Sequence, residues 1–150
     1  MKYLNLMFPQ WQGGGPDLST YYGAQEFREM YLSQVPVSQI EVDTREAADT
    51  GHLIFGYPSV VSQLQSAHTL IRRVAPDTLF TLGGGCDAGL PAASYLNQKY
   101  NGDLTVLWFD SHGDLNTPLS SPSRYFYGMP LRALLGDGDE TILESLPSTI

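Results

Sequence analysis

Leu104-Thr105-Val106-Leu107-Trp108-Phe109 runs directly into Asp110-Ser111-His112-Gly113-Asp114, and this junction decides how the chain is read. The first six residues are apolar or β-branched with no polar alternation, the pattern of a strand buried on both faces in a parallel α/β sheet. Open sheets of that kind bind ligands at the carboxyl ends of their strands. Two carboxylates and an imidazole crowded into five residues at such an end would repel and desolvate poorly unless a cation joined them. Mixed oxygen and nitrogen donors suit a divalent ion such as Mn²⁺ or Zn²⁺. The alternative is local: Asp110 caps a turn while His112 and Asp114 stay solvated. The strand in front favours the metal.

At 150 residues the chain is long enough for one domain with a core of its own. Hydrophobic content of 42% and aromatic content of 11% are globular values, far from those of disordered segments. A formal charge of −8, with eight scattered Lys and Arg, argues against nucleic acid as a partner. The single cysteine excludes an internal disulfide and fits a reducing compartment. No apolar run approaches the roughly 20 residues that span a bilayer, and the amino terminus lacks a signal-peptide core. The expectation is a cytoplasmic protein with no membrane partner.

Strands and helices alternate along the chain. Tyr3–Phe8 reads as a first strand, Gly23–Leu32 as a helix, and Gln39–Val42 as a short second strand. Ser59–Val74 is the clearest helix, with Val60, Val61, Leu64, Ala67, His68, Ile71 and Val74 at helical spacing, Ser59 as N-cap and Pro76 as stop. Leu79–Leu82 is a third strand turning at Gly83-Gly84-Gly85, and Leu104–Phe109 the fourth, with Trp108 in the core. Helices are expected over Pro91–Tyr100 and Gly128–Leu135, the latter closed by Gly136, with weaker helical character around Ile142 and Leu146. Trp11 and the Gly13-Gly14-Gly15 loop read as a mobile loop or as the wall of a pocket. His52 has no partner in sequence. The fold expected is a three-layer α/β/α sandwich around a mainly parallel sheet.

The carboxyl ends of the third and fourth strands hold the polar chemistry, at Gly83-Gly84-Gly85-Cys86-Asp87 and Asp110-Ser111-His112-Gly113-Asp114. Here the chain resembles the ureohydrolase superfamily of arginases, agmatinases and formiminoglutamases. The superfamily's glycine-glycine-aspartate-histidine motif lies over Gly83-Gly84-Gly85-Cys86, and its aspartate-alanine-histidine-x-aspartate motif over Asp110-Ser111-His112-Gly113-Asp114. The likeness continues through Leu115-Asn116-Thr117-Pro118-Leu119, similar to the arginase substrate loop, into Tyr127-Gly128-Met129-Pro130. It implies an arginase-like fold of which residues 1–150 form the amino-terminal part of a single domain. It also implies a binuclear Mn²⁺ centre with Asp110, His112, Asp114 and Cys86 at ligand positions. Asp110 would bridge the two ions, and Asp114 would help orient the attacking hydroxide. Asp114 and Tyr127 then stand at catalytic positions, and Asn116, Ser123 and Tyr125 at substrate-binding ones. The implied substrate is a small guanidino compound.

Several residues depart from that pattern. Cys86 replaces a ligating histidine; a thiolate prefers zinc, so the centre is expected to be re-specified, weakly filled or empty. Cys86 also reads simply as a small buried residue at a crowded strand end. Tyr127 replaces a histidine proposed to shuttle protons; tyrosine, with an unperturbed pKa of about 10, donates a hydrogen bond more readily than it relays protons near neutrality. Tyr125 stands where arginases place an asparagine. The superfamily's serine-x-aspartate-x-aspartate motif has no counterpart after Asp114. Three functions follow: a metallohydrolase of guanidino C–N bonds, an inactive relative serving as a binding or structural subunit, and a thiol enzyme with Cys86 as nucleophile and His112 as base. The apolar edge of Leu104–Phe109 needs cover, so a homo-oligomer, or completion by further polypeptide, is expected.

Overall fold

A computed structural model describes residues 1–45 and 50–150. Its centre is β1 (Tyr3–Phe8), which pairs in parallel with β2 (Ser38–Gln39) on one side and β5 (Thr78–Gly83) on the other. Register runs from Tyr3 opposite Thr78 to Phe8 opposite Gly83, and Leu6 faces Ser38. Two short strands, β3 (Thr50–Gly51) and β4 (Ile54–Phe55), form a separate antiparallel hairpin. The helices are α1 (Ser19–Tyr31), α2 (Tyr57–Val74), α3 (Leu90–Lys99), α4 (Pro130–Leu134) and α5 (Glu140–Ser145).

Alternation along β1 sends Leu4, Leu6 and Phe8 to one face, where they join Val60, Leu64, Ala67 and Ile71 of α2 with Leu90, Met129, Leu134 and Ile142 in one core. The α2 stripe read from the sequence is therefore the helix face that meets the sheet. α1 packs beside β5, and its buried Ala24 lies outside that core, so helices flank the sheet on both faces. Truncating Leu6 or Leu64 to alanine is expected to cost about 2–5 kcal/mol, the range for buried leucines in close-packed interiors.

Boundaries moved where local chemistry outweighed periodicity. α2 starts at Tyr57 rather than after Ser59, because left-handed Gly56 turns the chain and Pro58 occupies the first turn, where its missing N–H costs nothing. α1 starts at Ser19, whose N–H donates to Asp17 Oδ1 at 2.6 Å. The second strand stops at Gln39, and the helix expected over Gly128–Leu135 is reduced to Pro130–Leu134, preceded by a single 3₁₀ turn at Phe126–Gly128. The Gly13-Gly14-Gly15 segment lies against the fold: Gln12–Gly14 forms a 3₁₀ turn beside buried Trp11.

The main correction concerns the fourth strand. Residues 104–109 join no strand ladder. Leu104, Val106 and Trp108 are half-buried, whereas Leu107 is 73% and Phe109 93% exposed. Trp108 is thus at the margin of the core, with its indole N–H unpartnered. The physical reason is that a strand needs a neighbour. β5 is the end strand of its sheet, and nothing among the described residues pairs with its outer edge.

Candidate metal centre

The glycines after β5 are required by close approach. A Cβ on Gly84 would lie 2.0 Å from the Gln10 carbonyl oxygen, so only glycine lets the end of β5 pass the end of β1. The chain then enters a 3₁₀ turn, Cys86–Gly89, that places Cys86 and Asp87 at the carboxyl end of the sheet. Asp114 adopts left-handed backbone (φ 49°), and its carbonyl accepts the Arg132 N–H at 3.1 Å, tying the second motif to the first turn of α4.

These constraints bring Cys86, Asp110 and Asp114 together, with one potential ligand atom from each lying within 4.8 Å of the others. The Cys86 thiol donates to Asp110 Oδ2 at 3.3 Å, and the His112 N–H donates to Asp110 Oδ1 at 2.9 Å. That backbone bond, followed by the thiol contact, holds the Asp110 carboxyl below its ordinary range. Burial pushes the Cys86 thiol up to about 12, reinforced by the Asp110 hydrogen bond and by the charges of Asp114, Asp110 and Asp87. Burial, with the Asp110 charge second, also raises Asp114, whose Oδ2 is buried without a hydrogen-bond partner. Cys86 and Trp108 oppose that rise, although neither makes a well-formed hydrogen bond to Asp114.

The His112 side chain is 79% exposed, and its Nδ1 lies 3.1 Å from Ser111 Oγ and 3.6 Å from Asp110 Oδ1, outside the group of three. It instead lines a cavity of about 600 Å³ together with Asp114, Asn116, Ser123 and Tyr127. The Asn116 N–H donates to the Gly128 carbonyl at 3.1 Å, and Asn116 Oδ1 accepts from Ser120 Oγ at 3.3 Å. Ser123 Oγ accepts the Tyr125 N–H at 3.3 Å. Tyr127 rests over Gly14, and Tyr125 covers Gly15 and meets Phe55 edge-on at 5.8 Å, outside the cavity lining.

Gln10 escaped the sequence reading, and Asp87 entered it only as the last residue of the Gly83–Asp87 cluster. Asp87 is wholly enclosed, with both carboxyl oxygens unpartnered beneath Gly13 and Gly85, where any Cβ would collide with it. Burial raises it to about 7, with the Asp114 charge adding to the effect. Gln10, equally buried, leaves both amide atoms unpartnered. Only the burial implied by three adjoining glycines hinted at Asp87, and nothing local marked Gln10. His52 does have a partner: its Nδ1 lies 2.8 Å from Asp139 Oδ2, and its ring stacks on Tyr57 at 4.4 Å.

The fold and this group define an α/β protein with candidate metal ligands gathered at the carboxyl edge of a parallel sheet. The arginase family model matches residues 9–144, and the chain belongs to that family. Arginase from Staphylococcus aureus (strain MRSA252) is 31% identical over 112 residues, covering 73% of this chain and 36% of that protein. The Bacillus subtilis arginase is 34% identical over 113 residues, 75% of this chain and 36% of its own. In structure, the Entamoeba histolytica arginase solved with L-ornithine superposes over 99% of this chain and 54% of its own, with TM-score 0.76 and 22% identity. The chain spans about half the length of that solved arginase. No described helix is long and apolar enough to cross a membrane.

Proposed function

We propose that this chain carries the metal-holding part of a ureohydrolase-type site that hydrolyses the C–N bond of a small guanidino compound. The convergence of Cys86, Asp110 and Asp114 beside the cavity lined by Asn116, Ser123 and Tyr127 carries this reading. The donor set fits a divalent ion: a thiol and two carboxylates, one of them buried with an oxygen left unpartnered. Such an ion supplies Lewis acidity and makes water a usable nucleophile near neutral pH. Cys86, Asp110 and Asp114 would hold it, and His112 stands at the cavity as a fourth donor that a second ion of the family's manganese pair would recruit. A guanidinium is a planar cation rich in N–H donors, so the carboxylate of Asp114 and the polar oxygens of Asn116 and Ser123 suit it. Tyr127 offers a hydrogen-bond donor to the developing charge.

A second reading, a binding or structural subunit without turnover, is favoured by Cys86 standing in for a histidine and by His112 standing outside the group. Urea release from a panel of guanidino compounds, with Mn²⁺ or Zn²⁺ added, separates the two. Release lost in Asp114→Asn supports the enzyme, and saturable binding of the same compounds without release supports the subunit. We also propose that the outer edge of β5 and the extended 104–109 segment are covered in the working protein by further polypeptide or a second copy. Exposed Phe80, Leu107 and Phe109 support that cover, and the lone free cysteine fits the cytoplasm.

A further inference from the structure

We infer that Cys86 converts this centre into a single-ion site that selects zinc over manganese. The inference rests on the metal-site reading above and adds the identity and number of the ions. Three donors are gathered, one sulfur and two carboxylates, within 4.8 Å of one another, which is a set for one ion. A tetrahedral zinc with sulfur at about 2.3 Å and oxygens at about 2.0–2.2 Å places sulfur and oxygen roughly 3.5–3.7 Å apart and the two oxygens roughly 3.3–3.6 Å apart. The Cys86–Asp110 separation of 3.3 Å needs to open by only about 0.2–0.4 Å to reach the sulfur–oxygen spacing. Asp114 is buried with Oδ2 lacking any hydrogen-bond partner, an acceptor left open at this point. His112, the donor a second ion would need, faces solvent and the cavity.

Sulfur decides the metal. Thiolate is a soft donor that favours zinc, and manganese stands at the weak end of the divalent series for any such set. On binding, the Cys86 S–H bond gives way to a sulfur–zinc bond, and the thiol proton leaves to bulk solvent. Three donors converge among the described residues, and a tetrahedral zinc would take one more ligand.

The test titrates the metal-free chain with Zn²⁺, Mn²⁺ and Co²⁺ separately, reading bound metal per chain and the near-ultraviolet spectrum of the cobalt form. Expected are one zinc per chain, zinc binding tighter than manganese, and a thiolate-to-cobalt charge-transfer band. Cys86→Ser should remove the band and weaken zinc by more than the roughly 10–100-fold typical of losing an outer-shell partner. Cys86→His should restore metal binding without the band and narrow the preference for zinc. Manganese bound as tightly as zinc, or cobalt bound without the band in the unaltered chain, overturns the inference while leaving the metal site standing. Binding of none of the three metals overturns both.

Discussion

The thiol of Cys86 lies 3.3 Å from the Asp110 carboxylate although the two residues are 24 positions apart and no strand pairing joins the segments that carry them. The glycine-constrained turn after β5 and the tether from Asp114 to α4 do the work that sheet hydrogen bonds would otherwise do. A consequence is an unreactive cysteine. With the thiol pushed up to about 12, alkylation of the metal-free chain by iodoacetamide at pH 8 should run at least about tenfold slower than that of free cysteine. Asp110→Asn removes a charge beside the thiol and should speed it. Fast alkylation of the unaltered chain would revive the thiol-enzyme reading.

Much of the architecture was legible because it is local. β1, β5 and the α2 stripe follow from apolar runs and helical spacing, and one run of five residues carries Asp110 and Asp114 of the candidate group, while His112 of the same run stands outside it. What stayed hidden is long-range. Residues 104–109 carry a strand pattern, but pairing depends on a neighbour that periodicity cannot supply. The His52–Asp139 pair joins residues 87 positions apart, and the enclosure of Asp87 and Gln10 arises only when β1 and β5 end side by side.

Two glycines should respond oppositely to alanine. At Gly84 the added Cβ meets the Gln10 carbonyl at 2.0 Å, backbone that cannot step aside, so Gly84→Ala should cost more than about 3 kcal/mol. Gly23, inside α1 with nothing within 4 Å of a built Cβ, should gain roughly 0.5–1 kcal/mol as Gly23→Ala. Urea unfolding midpoints of the two variants check both signs.

His68 should make acid stability measurable. Burial, aided by the Arg72 charge, lowers it to about 4, below its ordinary 6.5. The unfolded chain therefore binds the extra proton between those values. The His68 contribution is complete above about pH 6.5 and lost as pH falls through 4, on the order of 3 kcal/mol. Asp87, raised to about 7, acts in the opposite sense over much of that window, so the comparison must be with His68→Leu, which shares the Asp87 effect. Chemical denaturation across pH 4–7 should show the unaltered chain losing stability relative to the variant as pH falls; parallel profiles would disprove it.

Self-association should depend on the uncovered segment. Leu107 and Phe109 expose apolar surface, and the outer edge of β5 has no strand partner among the described residues, a combination soluble proteins avoid. Light scattering of the unaltered chain should give a mass above that of one copy, and Leu107→Asp with Phe109→Asp should lower it. A monodisperse single copy at high concentration would remove the proposed need for cover.

The metal centre itself is tested most directly by anomalous diffraction at the zinc edge on crystals of the zinc-loaded chain. One peak is predicted, about 2.3 Å from Cys86 Sγ and about 2.0–2.2 Å from carboxylate oxygens of Asp110 and Asp114. A peak on His112 away from Cys86, or none above noise in crystals whose solution carried excess zinc, would contradict the assignment.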